Sequence, residues 1–539
     1  MLSRHDVQVG VKGGVERCGG LGLNTSHFRP NGGKRRQKAP DLANYQKAKK
    51  PTRSFLMYSL RQLDVDDKVC EQVDLALVEK IYPKEVIERC VGQSHPWSNK
   101  RRRIRQTTLF TLVWLIIAMG LWSRLNQCQV WQKLVGKLSD LHPDATTQGK
   151  LSDSGVSGRR KELASAGLQA LMAECCVVIA DPCTMPTAFF GRYRLLAIDG
   201  TVFNTPDTAL NEQAFGRSCN QYGKGAYPQV RCVLLTECGT HAVIGLHSDR
   251  YDVSEVHGAH RLLSQVGPNT LVTTDAGITS GGFLQRLREQ GAHGLGALEA
   301  GAWEHLPKQR RLRDGSILTW VPASRNVQYP VRKGLWVRII CYRVTEERLG
   351  EVGKVYRLVT TLLNPVTAPA LALVELYHER WEVELVIDEI KTHERTGRKV
   401  LRSKTPEGVR QELSGIFLAH YLIRVLMAQA AKQAQLDPDR LSFTEGLFHL
   451  CEMIDLTLIL EPEAACSLLL RLYEKLAHKI LPPRQLRINR REVKQVYNKY
   501  KPKKRDLPAP KPFEPHERFL DFVDLLDPLA TPILAQKGA

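Results

Sequence analysis

RYRLLAID, residues 192–199, is where the chain stops reading as helix and starts reading as sheet. Its apolar residues run together and halt at an aspartate followed by Gly200. QVRCVLLTECGTHAVIGLHSD (229–249) then reads as a β-hairpin, its turn near Cys238–Gly239–Thr240. SEVHGAHRLLSQV (254–266) reads as a helix, NTLVTTD (269–275) as a second strand ending in aspartate, and GGFLQRLREQ (281–290) as a second helix. Strand, hairpin, helix, strand, helix describes an α/β sheet with mixed strand directions. Strands ending in Asp199 and Asp275 bring both carboxylates to the edge where open α/β sheets bind ligands, side by side if the strands are neighbours. An aspartate that merely caps a turn after a strand gives the same local sequence, so spacing alone leaves two readings standing.

On the N-terminal side, residues 57–180 read as helical, with LFTLVWLIIAMGLW (109–122) as a buried helix and LASAGLQALMAECC resuming helix before the sheet. That apolar run is shorter than the roughly 20 residues a bilayer span needs, so no membrane segment is expected. HPDATTQGKLSDSGVSGRR (142–160) reads as a polar loop. Residues 1–56, with GGKRRQK and KAKKPTR, read as a disordered basic extension, and Met57 begins more ordinary sequence. On the other side, residues 300–365 are β-rich and look inserted before a helix over 371–391. From 406 onward the pattern is helical, and 484–505 carries ten Lys or Arg against one Glu. The C-terminal end is Pro-rich, with FLDFVDLLD read as a short helix.

The helix ELYHERWEVELVIDEIK (375–391) holds the third carboxylate of interest. On a helical wheel Tyr377, Arg380, Glu384 and Lys391 share an arc of roughly 60°. Leu376, Val383, Val386, Ile387 and Ile390 occupy the neighbouring arc and form a core face. An acid flanked by two cations and a phenol suits a metal ligand beside phosphate clamps; an ordinary i,i+4 pair between Arg380 and Glu384 fits the same spacing. Asp388 and Glu389 are expected to be solvated or paired with Lys391 and Arg395.

Composition narrows the class. The 539 residues exceed one ordinary core, and 43% hydrophobic with 25% charged is the balance of a globular protein. A net charge of +21 favours a polyanionic partner, nucleic acid first among them. The 13 cysteines include no CxxC pair and no zinc spacing, so reduced thiols in a cytosolic compartment are expected. His241, His257 and His260 read as packed or surface histidines. Of Trp303, Trp320 and Trp336, the last sits in a strand pattern and reads as core; stacking on a flipped base is the other use of such aromatics. Three carboxylates without Cys or His ligands suit Mg²⁺ or Mn²⁺, and two such ions serve phosphoryl transfer.

Tyr377, Arg380, Glu384 and Lys391 form Y-x2-R-x3-E-x6-K, and in this the sequence resembles the IS4-type (Tn5-like) DDE transposases. LLAIDGTVFNTPDT (195–208), PQVR, ECGTHAV and KVLRSKTPEGVRQE (399–412) match the same family in order. The resemblance implies an RNase H-like mixed-sheet catalytic core over 181–430, interrupted by the β-rich insertion at about 300–365. A helical N-terminal DNA-binding domain (57–180) and a helical C-terminal region with a basic tail (431–539) would flank it. Asp199, Asp275 and Glu384 would hold two Mg²⁺ or Mn²⁺ ions, and Tyr377, Arg380 and Lys391 would grip DNA phosphates. The expected partners are transposon-end inverted repeats, target DNA and a second copy of the chain on DNA, in the bacterial cytoplasm at the nucleoid. The sequence departs from the family pattern at Ala276, Ile278 and Glu299, where DNA-contacting residues are usual. The alternatives are a non-catalytic DNA-binding descendant and a structure-selective nuclease on the same core.

Overall fold

The computed structural model describes residues 81–93, 109–141, 153–220, 223–299, 308–323, 333–346, 353–378, 380–395, 398–456, 471–481 and 518–526, with Gly301, Leu306 and His516. All belong to one compact unit, Pro51–Ala539. The expected basic extension, Trp303 and the basic run 484–505 lie outside the described residues.

The described helices before the sheet are α1 (Lys84–Gln93), α2 (Leu109–Leu121), α3 (Gln127–Leu141), α4 (Asp153–Arg160) and α5 (Ser165–Cys175). The sheet region follows as β1 (Phe189–Phe190), β2 (Tyr193–Asn204), α6 (Ala209–Phe215), β3 (Arg217–Asn220), β4 (Gly223–Glu237) and β5 (Val243–Arg250). Then come α7 (Glu255–Leu262), β6 (Thr270–Thr274), α8 (Gly281–Glu289) and β7 (His293–Ala297). The insertion supplies β8 (Lys308–Arg311), β9 (Ile317–Val321), β10 (Leu335–Val344) and β11 (Tyr356–Thr360). After it stand α9 (Ala370–His378), α10 (Trp381–Asp388), a π-helical segment Glu389–Glu394, α11 (Pro406–Ala434), α12 (Phe443–Leu456) and β12 (Val523–Leu526).

The main sheet runs β5–β4–β2–β6–β7–β11–β10–β9–β8. β2 pairs antiparallel with β4, and β4 antiparallel with β5. β6 lies parallel to β2, and β7 parallel to β6. That five-strand order, with those directions, is the RNase H-like arrangement. The insertion does not form a separate unit: β11 pairs antiparallel with β7, so its strands lengthen the catalytic sheet. Trp320 and Trp336 face each other edge-on across β9 and β10, 5.3 Å between ring centroids, and both are buried.

The central helix is α11. Thr405 caps it by accepting the Gly408 N–H, Pro406 sits at its first turn, and Gln435 ends it in the left-handed conformation. It is long and apolar enough to span a bilayer, yet 94% of that apolar stretch is buried inside the protein. α2 crosses it at two glycines. A Cβ on Gly120 would sit 2.7 Å from the Gly415 carbonyl oxygen and the Ala419 methyl, and a Cβ on Gly415 would overlap the Ile116 carbonyl. The expected helical N-terminal region therefore shares its core with α11.

Three local expectations need correction. Residues 153–160 are helix α4, not loop. FLDFVDLLD forms a 3-10 turn at Phe519–Phe522 and then strand β12, which pairs with β10 from Cys341 to Val344; that long-range strand partner overrides the local helical pattern. The helix expected over 371–391 is broken at Arg380. There the ladder tightens, with Arg380 N–H bonding the Tyr377 carbonyl and Val383 N–H bonding the Arg380 carbonyl, each at 3.2 Å. It widens again in the π segment, where Arg395 N–H reaches the Ile390 carbonyl. Four residues of the expected core face, Leu376, Val383, Val386 and Ile390, are buried, and the fifth, Ile387, is half-buried.

Candidate active site

Parallel pairing aligns Ile198 with Thr274. The next residues are Asp199, midway along β2, and Asp275, just past the end of β6; they lie side by side, their carboxylates within 4.8 Å of each other. Only Asp275 ends its strand and does the local work of a turn aspartate, its Oδ1 accepting the Ile278 N–H at 3.0 Å. The strand expected to end at Asp199 continues, paired with β4, to Asn204, so Asp199 sits in mid-strand, where its Oδ1 accepts the Gly200 N–H at 2.7 Å. For Asp275 the two readings left open by the sequence are thus both realised, one carboxylate serving turn and pocket together; for Asp199 only the pocket reading stands. Ile278 is fully buried, so the departure at that position packs the core.

Arg380 Nη1 stands 3.5 Å from Asp199 Oδ2, and its Nη2 stands 3.4 Å from Glu384 Oε1. The guanidinium thus bridges the β2 acid and the helix acid. Asp199, Asp275, Glu384, Arg380 and Lys391 line one pocket of about 580 Å³. Burial raises the Asp199 carboxyl from 3.8 to about 6, against the Gly200 N–H and Arg380, which lower it; Asp275 and Glu384 add to the rise. Lys391 is lowered, mainly by burial with Arg395 adding to it, and its ammonium lies 5.2 Å over the Phe203 ring. Tyr377 faces inward: its hydroxyl donates to the Thr274 carbonyl at 3.2 Å, and Arg380 stacks over its ring at 5.7 Å. Burial raises its phenol.

A fourth acid at this place was not singled out from the sequence. Glu255, in the first turn of α7, offers an oxygen within 4.8 Å of those of Asp199 and Asp275. Hard oxygen donors this close suit a divalent cation, and Gly200 leaves the space: a Cβ there would overlap the Glu255 carboxylate.

The back of the 381–394 helix is held separately. Glu389, expected at the surface, is buried and accepts from Arg424 Nε at 3.1 Å as well as from Arg424 Nη2. His241 Nδ1 at 3.0 Å and His420 Nε2 at 3.1 Å also contact its oxygens. Burial would raise this carboxyl, but Arg424 and His241 hold it well below the usual range. Glu382, seven residues earlier, accepts the Gly239 N–H of the β4–β5 turn at 2.7 Å. Glu382 and Glu389 thus tie one side of the helix down while Glu384 and Lys391, also seven apart, face the pocket. His241 is packed as expected, although it lies beside Glu382 and Asp439 in a group with metal-ligand chemistry. His260 is buried edge-on to Phe283, and burial lowers it to about 4. His257 lies near His247, 5.8 Å between rings. The ten described cysteines are thiols, outside any disulfide.

Two family models match: "Transposase DDE domain" over residues 190–422 and "Insertion element 4 transposase N-terminal" over 72–173. Transposase InsG for insertion sequence element IS4, from Escherichia coli K12, is 30% identical over 67% of this chain and 79% of its own length. The chain belongs to the IS4 family of DDE transposases. A putative transposase InsZ of the same organism is 24% identical over 42% of this chain and 71% of its own. A chain of the piggyBac transposase synaptic complex with hairpin DNA aligns over 77% of this chain and 87% of that one, at 11% identity and a TM-score of 0.40. As a DDE transposase of this family, the protein is a DNA-binding enzyme that acts on an IS4-type element.

Proposed function

We propose that this transposase hydrolyses the phosphodiester at its element's inverted-repeat ends and then joins the freed 3′-OH to target DNA. Asp199, Asp275 and Glu384 would hold two divalent ions, Mg²⁺ or Mn²⁺, which when bound activate the attacking oxygen and neutralise charge on the scissile phosphate. The observation that carries this is the β2–β6 register, which sets Asp199 beside Asp275 in a pocket that Glu384 also lines.

The chain's own residues do the rest. The carboxylates fix where the phosphate sits, so that attack and departure are in line. Arg380, which bridges Asp199 and Glu384, and Lys391 turn to DNA phosphates once cations take the acids. Tyr377 keeps Arg380 stacked in place and holds the end of β6. Helices of 57–180 and the 484–505 run add sequence-independent phosphate contacts. Two chains meet on DNA when two ends are brought together. All three acids are retained despite Ala276, Ile278 and Glu299, which favours an active enzyme over a binding-only descendant.

The test is cleavage and strand transfer with the full chain, Mg²⁺ and a duplex ending in the element's own repeat. Wild type yields nicked and joined products. Glu384→Gln binds the duplex but leaves it intact. Equal cleavage by Glu384→Gln would refute the assignment; cleavage of unrelated ends without joining would point to a structure-selective nuclease.

A further inference from the structure

We propose that Glu255 is a fourth acidic ligand of the divalent-cation centre, supplied by α7 and not by the sheet or α10. The inference rests on the two-cation reading above and extends it to a residue outside the Asp–Asp–Glu set.

The placement begins in the fold. Gly200 pairs with Val233 across β2 and β4. α7 crosses that pair using glycine on both sides: a Cβ on Gly258 would sit 2.5 Å from Val233 Cγ2, and a Cβ on Gly200 would overlap Glu255. The helix is thereby seated with its first turn on the backbone next to Asp199. Any side chain at 200 would displace the Glu255 carboxylate.

Its aim is also fixed. Arg231, on β4, pairs with Glu255 Oε1, and its Nε donates to the Tyr251 carbonyl at 3.1 Å. The guanidinium is thus tied to the β5–α7 loop and holds the carboxylate by one oxygen, leaving Oε2 as a second donor. Oxygen ligands about 2.1 Å from Mg²⁺ lie roughly 3–4.2 Å from one another in an octahedron. The oxygens of Asp199, Glu255 and Asp275 already lie within 4.8 Å, so small side-chain rotations close them on one ion. Charge argues the same way. Two dications carry four positive charges, and Asp199, Asp275, Glu384 and Glu255 carry four negative ones, which frees Arg380 for DNA phosphates while Arg231 stays on Glu255. A purely structural account makes Glu255 only the partner of Arg231, anchoring α7.

Mn²⁺ binding to the full-length protein, followed by calorimetry and by the electron paramagnetic resonance of free Mn²⁺, separates the two. Glu255→Gln keeps a hydrogen bond to Arg231 but removes the anion, and is expected to weaken at least one Mn²⁺ site tenfold or more with the circular-dichroism spectrum unchanged. Asp199→Asn, run alongside, is expected to lose that site as well. Wild-type Mn²⁺ binding in Glu255→Gln with loss in Asp199→Asn overturns the role of Glu255 and leaves the catalytic site intact. Wild-type binding in both variants overturns the cation centre itself. Should Glu255→Gln fail to fold, Glu255→Asp, which keeps the charge but shortens the reach, carries the same comparison. Arg231→Gln supplies the structural control: if it alone reproduces the Mn²⁺ defect of Glu255→Gln, Glu255 acts only through its pairing, and the proposal is wrong.

Discussion

Asp199 holds its charge at a disadvantage in the cation-free protein, and removing that charge should stabilise the fold while destroying the enzyme. The folded carboxyl titrates at about 6 against 3.8 for a free aspartate. Between those two values the native state holds a proton that the unfolded state has lost, so stability falls as pH rises through the window and is level above it. At about 1.36 kcal/mol for each pH unit between the two values, the native state gives up ~3 kcal/mol by pH 7. Only 15% of the side chain is exposed, so solvent screening takes little from that figure. Asparagine keeps the acceptor for the Gly200 N–H but loses the 3.5 Å contact to Arg380. The net expectation for Asp199→Asn at pH 7.5 in EDTA is a gain of about 1–3 kcal/mol, large against a total stability on the order of 10 kcal/mol. Urea midpoints of both proteins at pH 7.5 and near pH 4 would measure it. The gap should close towards pH 4, and also at pH 7.5 when Mg²⁺ is added, because only wild type gains the binding energy, about 2.7 kcal/mol at a hundred times Kd. A variant no more stable than wild type at pH 7.5, or a gap unchanged near pH 4, refutes the reasoning.

Glu389→Leu strands the buried Arg424 guanidinium and should cost about 3–5 kcal/mol in denaturant melts, whereas Glu389→Leu with Arg424→Met should recover most of it; equal losses in both would show that the pair does not act as a unit. Lys391→Ala should weaken binding to any duplex and reduce the dependence of log K on log salt by about one, read from affinities at 50 and 200 mM salt. An unchanged slope would remove Lys391 from the phosphate contacts.

The neighbouring aspartates were legible because a parallel sheet brings similar stretches, LLAID and LVTTD, into register, although the strand through LLAID runs on to Asn204 and only Asp275 stands at a strand end. The same local rule recovered the β4–β5 hairpin, whose turn lies where Cys238–Gly239–Thr240 predicted it. Glu255 stayed hidden because SEVHG looks like any helix start with an acid in its first turn. What selects it is the crossing at Gly200 and Gly258, and the two glycines, one on each crossing element, were the available signal. The wheel over 375–391 put Arg380, Glu384 and Lys391 on one arc, and they line one pocket, but it assumed one even spiral and so also put Tyr377 there, whose hydroxyl turns inward to Thr274. The tightened turn at Arg380 and the π segment are set by tertiary bonds to Glu382 and Glu389, which no local period encodes. β12 was missed for the same reason: its partner β10 lies nearly 200 residues away, and strand pairing at that separation leaves no local trace.

The antiparallel join between β11 and β7 bears on how the molecule avoids its own kind. Without that partner, the outermost parallel strand would present a row of bare amides close to a cluster of acids, an invitation for other chains to add on. By growing outward from this flank, the extra ribbon shifts the open rim several strands away. Changes in the added strands can then be tolerated at the periphery while the spacing of the five central strands is left undisturbed.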